Sequence, residues 1–194
     1  PPGGIVTIGV FDGVHRGHQQ LIRRTVRWAR RLGRPSLVIT FDPDPATVLD
    51  PAHPHPTLMP LAARVDYLRD LGVDWIWIIP FTPRFARMTA GAFIRRILIG
   101  RLRASTLVVG DAFAFGRNRE GDMALLRRVG PASGMRVVSV REVRRGKRPV
   151  SSSRIRRLIA QGRLAAARQL LGRAAELYGA VVRGAGRGRR LGFP

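Results

Sequence analysis

The sequence predicts an α/β fold in which a parallel sheet is covered by helices on both faces. Strand and helix patterns alternate along the chain, the arrangement that joins parallel strands through crossover helices. The segments rich in glycine, histidine or serine fall at the carboxyl end of a strand or at the start of a helix. Ligands of such sheets bind at the carboxyl ends of the strands, so fold and site support one another.

The first strand is expected at 5–11, on the β-branched run Ile5-Val6-Thr7-Ile8. An amphipathic helix follows at about 17–32, with Ile22, Val26 and Ala29 inward, Arg23, Arg24, Arg27, Arg30 and Arg31 outward, and Gly33 as its stop. Ser36–Phe41 reads as the second strand. The proline-rich stretch 42–60 is too long for a plain connector and is expected to be functional or mobile. A helix at about 61–71 leads to a strand at Trp75–Phe81, and a helix at about 90–103 to a strand at Thr106–Gly110. Beyond the loop 111–121 come a helix at 122–129 and a strand at 136–140. The serines at 151–153 open a helix, and Leu164–Leu171 forms another after Gly162.

A chain of 194 residues can bury a full core, and 45% hydrophobic content with no apolar run near twenty residues predicts a soluble protein. No secretion signal opens the chain, and the absence of Cys removes disulfides, zinc sites and thiol catalysis, so the cytoplasm is the expected location. The chain begins Pro1-Pro2 and stops inside a motif, which reads as an excerpt of a longer protein. Its net charge of +23 first suggests nucleic acid. Lys147 is its only lysine, however, and such one-sided use of arginine fits a coding bias better than a designed patch. The expected partners are therefore small molecules, with no specific nucleic acid and no membrane. Nothing in the chain sets an oligomeric state.

The segment Gly9-Val10-Phe11-Asp12-Gly13-Val14-His15-Arg16-Gly17-His18 lies between the first strand and the first helix. A glycine-rich turn lets backbone approach a polyphosphate, and the free N–H groups and positive end of the following helix attract the anion. His15 and His18 stand three residues apart, on one face of the helix start, and can donate to oxygens of one ligand. The rival reading is a metal site, but it lacks ligands: His53 and His55 sit in the proline-rich stretch without acidic residues at ligand spacing. Ser151-Ser152-Ser153-Arg154-Ile155-Arg156 is a second candidate. One serine suffices for a helix cap, whereas Ser152, Ser153 and the fork of Arg156 can grip phosphate oxygens.

The first segment resembles the G-x-F-D-G-x-H-x-G-H signature of the bacterial FAD synthetases, bifunctional riboflavin kinase/FMN adenylyltransferases. Four further segments fall in the family's order. Thr40–Pro45 is similar to T-F-x-P-H-P, Val109–Gly116 to V-G-x-D/N-F-x-F-G, and Val150–Arg156 to I-S-S-T-x-x-R. Gly186–Pro194 resembles the first half of G-x-G-R-x-x-G-F-P-T-A-N, which opens the kinase module. The resemblance implies a Rossmann-like nucleotidylyltransferase fold over residues 1–172, then a linker and the truncated start of a β-barrel kinase module over 173–194, with Tyr178–Arg183 as its first strand. Because the kinase motif stops at Pro194, no riboflavin kinase activity is expected of this chain.

The implied chemistry is attack of the FMN phosphate on the α-phosphorus of ATP, giving FAD and pyrophosphate, with Mg²⁺ arriving on the ATP and no metal site on the protein. In that scheme His15, His18 and Arg156 are the catalytic residues, and Gly9, Phe11, Gly13, Gly110, Ser152 and Ser153 bind ATP. Asp12 either orients its turn or takes part; the structural role is the one expected. Asp44, Asp111 and Ala112 fall on the FMN side. Two of these depart from the family: its histidine is Asp44 here, and its acidic or amide residue is Ala112, with Asp111 one position early. A carboxylate beside bound phosphates repels them, and alanine cannot hydrogen-bond, so weakened FMN use or another acceptor phosphate is an open alternative. So is a nucleotidylyltransferase for pantetheine phosphate or glycerol phosphate, or a catalytically impaired homologue whose basic surface binds RNA.

Overall fold

Strands buried on both faces are mostly apolar, and β1 (Ile5–Ile8) is buried at every residue. In the computed structural model, which describes residues 3–53, 56–180, 182 and 192, β1 is the centre of a five-stranded sheet. Its order is β3-β2-β1-β4-β5, with β2 (Ser36–Asp42), β3 (Trp75–Pro80), β4 (Thr106–Gly110) and β5 (Arg136–Val140) all parallel. The α/β expectation is met.

The period of two along each strand divides the core. Val6, Ile8, Leu37, Ile39, Leu107 and Val109 face one apolar layer, while Ile5, Val38 and Val108 face the other. On the second layer lie α1 (Arg16–Arg31), which buries Leu21, Ile22, Val26 and Ala29, and α3 (Leu61–Asp70), which buries Leu68. The first layer is closed by α6 (Met123–Ala132) and by the segment 90–101. The chain runs outward from β1 through β2 to β3, then returns to the opposite edge of β1 for β4. That reversal opens a crevice at the carboxyl ends of β1 and β4.

Several elements differ from expectation. β1 ends at Ile8: the Gly9 N–H still bonds to the Ile39 carbonyl, but Phe11 turns into the left-handed region at φ 56°. The stretch 42–60 contains α2 (Pro45–Leu49), whose first turn Asp44 caps by accepting from the Ala46 N–H at 2.9 Å. A short α4 (Pro83–Ala86) follows β3. The helix expected at 90–103 is α5 (Ala90–Phe93) running into a π-helix at Ile94–Arg101, where the Leu102 N–H reaches back to Ile97. A hairpin of β6 (Arg144–Arg145) and β7 (Arg148–Pro149) precedes α7 (Ser152–Ala160) and α8 (Leu164–Leu171). Tyr178–Ala180, expected to begin a strand, pairs with no strand among the described residues. The rest of that expected strand and the motif Gly186–Pro194 lie outside the described residues, Val182 and Gly192 aside.

Candidate active site

Beyond the carboxyl end of β1 lies a cavity of about 530 Å³ lined by Asp12, His18, Asp44, Ser152, Ser153 and Arg156. His18 comes from the first turn of α1 and the serines from the start of α7, so two helix N-termini open on one space. Each contributes unpaired N–H groups and the positive end of its dipole, which suits a polyanion.

At the α1 end, the His15 imidazole caps the helix. Its Nδ1 accepts from the His18 N–H at 3.3 Å, which puts the ring proton on Nε2. The two rings stack, with centroids 3.6 Å apart and planes 19° apart. Gly17 permits this, because a Cβ there would press on the His15 ring at 3.1 Å. Phe11 stands edge-on to His18 at 5.2 Å and is itself buried. Burial, helped by the charge of Arg173, lowers His15 to about 4. Burial also holds His18 well below the ordinary 6.5, helped by the charges of His15 and Arg64. Both rings are neutral at pH 7, each with a single N–H to donate.

Two glycines expected to admit phosphate have other uses. Space beside Gly9 is filled by the Phe11 ring, and a Cβ at Gly13 would lie 2.6 Å from Leu58, which closes over the turn from the long loop. Phe11 can offer a nucleotide its backbone alone. Gly110, at the end of β4, has open space before it.

At the α7 end, the Ser151 hydroxyl caps the helix, accepting from the Arg154 N–H at 3.3 Å. Ser152 donates its hydroxyl to the Asp12 carbonyl at 2.8 Å, so that proton is committed to joining α7 to the β1–α1 turn. Ser153 accepts a long contact from Arg156 at 3.5 Å and keeps its proton for a ligand. Arg156 pairs with the Asp12 carboxylate at 2.7 Å. The other Asp12 oxygen accepts from the Leu58 N–H at 2.8 Å. Burial pushes the Asp12 carboxyl up, opposed by the Leu58 N–H and by Arg156.

The residues expected on the FMN side do not stay together. Asp44 lines the same cavity as Arg156, with one carboxylate oxygen committed to capping α2. Asp111 and Ala112 are exposed beyond the end of β4 and do not line that cavity. Sequence reasoning missed Arg64, a buried guanidinium on α3. It donates to the Val10 and Phe41 carbonyls at 2.8 and 3.0 Å and so ties the ends of β1 and β2 together. A lone arginine in an apparently polar helix gives no periodic signal of burial.

A model of the FAD synthetase family matches residues 1–154. The chain belongs to the FAD synthetase family. The bifunctional riboflavin kinase/FMN adenylyltransferase of Escherichia coli strain K12 is 38% identical over 192 residues, covering 99% of this chain and 61% of that protein. The protein of the same name from Haemophilus influenzae is 34% identical over 192 residues, covering 99% and 62%. The chain thus spans about three-fifths of the length of these relatives. A crystal structure titled a macrolide-efflux protein from Streptococcus pneumoniae matches with a TM-score of 0.86 at 32% identity, over 100% of this chain and 63% of that one. In this member of the family, His18, Ser153 and Arg156 are side chains that line one cavity, with His15 buried and stacked on His18.

Proposed function

We propose that the chain transfers AMP from ATP to FMN, forming FAD and pyrophosphate. The observation that carries the reading is the meeting of two helix N-termini with His18, Ser153 and Arg156 around one cavity, in a chain of the FAD synthetase family. The names of the relatives supply the acceptor, FMN.

The reaction needs no covalent intermediate, so catalysis is positioning and charge stabilisation. Neutral His18 and His15 each offer their single ring N–H to the oxygens of the transferring phosphate. Preorganised donors of this kind stabilise charge that develops in the transition state and need no reorganisation when it appears. Arg156 and the α7 N–H groups hold the outer phosphates, and Ser153 donates its hydroxyl to one of them. Gly110 leaves room at the end of β4 for the nucleotide. Mg²⁺ is taken to arrive with the ATP substrate, where it would neutralise charge on the phosphates. No helix among the described residues is long and apolar enough to cross a membrane. The cytoplasm is the location that goes with this reading. The nucleotidylyl module is taken to end at Gly172.

A second acceptor is the competing reading, and Asp44 and Ala112 favour it. Incubation with ATP, Mg²⁺ and, in parallel, FMN, pantetheine phosphate or glycerol phosphate distinguishes the two. Pyrophosphate and FAD should appear together with FMN; release with another acceptor but not with FMN would replace the proposed substrate.

A further inference from the structure

We infer that Asp12 is the positioning residue of the nucleotide site, fixing the Arg156 fork for the outer phosphates and linking it to the loop that closes at Leu58. This rests on the proposed use of ATP. A carboxylate in the wall of an anion site is unfavourable unless another group requires it there. Here its contacts account for it. Asp12 reaches three segments remote in sequence: Arg156 on α7 through Oδ2, the Leu58 N–H through Oδ1, and the Ser152 hydroxyl through its carbonyl.

Arginine has a long side chain, and ordering it on binding subtracts from affinity. The pair with Asp12 orders Arg156 in advance. Its Nη1 is held at 2.7 Å while Nη2 rests near the Ser153 hydroxyl, so the guanidinium plane is set beside the hydroxyl that serves the same phosphates. The pair is well shielded, with side-chain exposures of 17% for Arg156 and 4% for Asp12. Leu58 packs over Gly13 of the same turn and its N–H occupies the second carboxylate oxygen. One side chain therefore senses both the closing loop and the phosphate-binding fork. Each oxygen is already engaged by a protein donor, which suits a positioning group better than a base.

The test is titration of the whole chain with ATP and with AMP, for the unchanged protein, Asp12→Asn, Arg156→Ala and the double variant, with thermal melting as the check on folding. Asn keeps the oxygen that accepts from Leu58 and removes the charge. Asp12→Asn should weaken ATP binding about tenfold, leave AMP binding unchanged, and add nothing in the Arg156→Ala background. Equal losses for AMP and ATP, or a full loss in the Arg156→Ala background, would show a scaffold role and overturn the proposal. If Asp12→Asn does not fold, the unchanged protein still decides. Slow rotation of the Arg156 guanidinium in its NMR spectrum without ATP supports the pair, and free rotation overturns it. Failure of the unchanged chain to bind ATP would overturn the underlying reading, whereas normal ATP binding by a folded Asp12→Asn would overturn this inference alone.

Discussion

At the scale of single residues, the histidines carry the clearest consequences. An unfolded histidine titrates near 6.5, and His15 in the folded chain near 4. Above 6.5 neither state binds the proton. Between 6.5 and 4 the unfolded chain takes it up and the folded chain does not, so stability declines as pH falls through this window. The slope from His15 alone is up to about 1.4 kcal/mol per pH unit. Urea melts from pH 7.5 to 4 should show this decline flattened in His15→Gln, and equal slopes in the two proteins would contradict the burial argument. Replacing His18 with Ala removes one preorganised donor and should lower turnover by about 10²–10³-fold while the fold persists; a His15/His18 double variant with undiminished turnover refutes the assignment. Asp44→Asn keeps a side-chain cap on α2 but removes the carboxylate from the cavity, so it should tighten ATP and FMN binding. Asp44→His with Ala112→Asp, the change toward the family pattern, should improve FMN affinity at a cost of about 1 kcal/mol for the lost cap. Tighter FMN binding by the unchanged chain would overturn the acceptor-side reading. The sequence made His18, Ser153 and Arg156 legible because short motifs fix them. It did not show that Ser152 spends its hydroxyl on Asp12, or that Asp44 faces Arg156, since both depend on contacts across more than a hundred residues.

At the scale of elements, regular pieces were legible where one period governs them. α1 and α8 follow the 3.6-residue period and sit close to where the sequence placed them. The departures arise where tertiary contacts override local pattern. The segment expected as one helix over 90–103 widens into a π-helix so that Ile94 and Leu98 stay buried while Leu102 and Ala104 turn back toward β4. The loop 111–121 leans on the start of this segment. Gly116 has φ +77°, and a Cβ there would meet the Ala90 backbone nitrogen at 2.6 Å. Gly116→Ala is therefore both strained and overpacked, and it should destabilise the protein by roughly 2 kcal/mol or more. Calorimetry checks this: an unchanged melting temperature would mean that the loop does not seat against α5 as described. Leu58 over Gly13 makes the same point for the long loop, whose length signalled importance but not the contact that gives it.

At the scale of the whole molecule, charge is the dominant unexplained quantity. Among the described residues only Arg69, Arg117, Arg144, Arg156 and Arg173 lie within reach of a carboxylate, and Arg156 alone lines the cavity between the helix starts. Arg16, Arg23, Arg27 and Arg30 instead line a separate groove of about 690 Å³ on the outer face of α1. Such a surface attracts any polyanion by releasing condensed counterions, and that attraction falls steeply with salt. The cavity works differently, because its donors are backbone N–H groups and the shielded Arg156, where screening is weaker. If the arginines are solvated surface, RNA binding should be independent of sequence and lost near physiological ionic strength, while ATP binding persists through the same salt series. Titrating labelled RNA and ATP side by side separates the two signals. Salt-resistant, sequence-selective RNA binding without detectable ATP binding would move the function from the cavity between the starts of α1 and α7 to the outer face of α1.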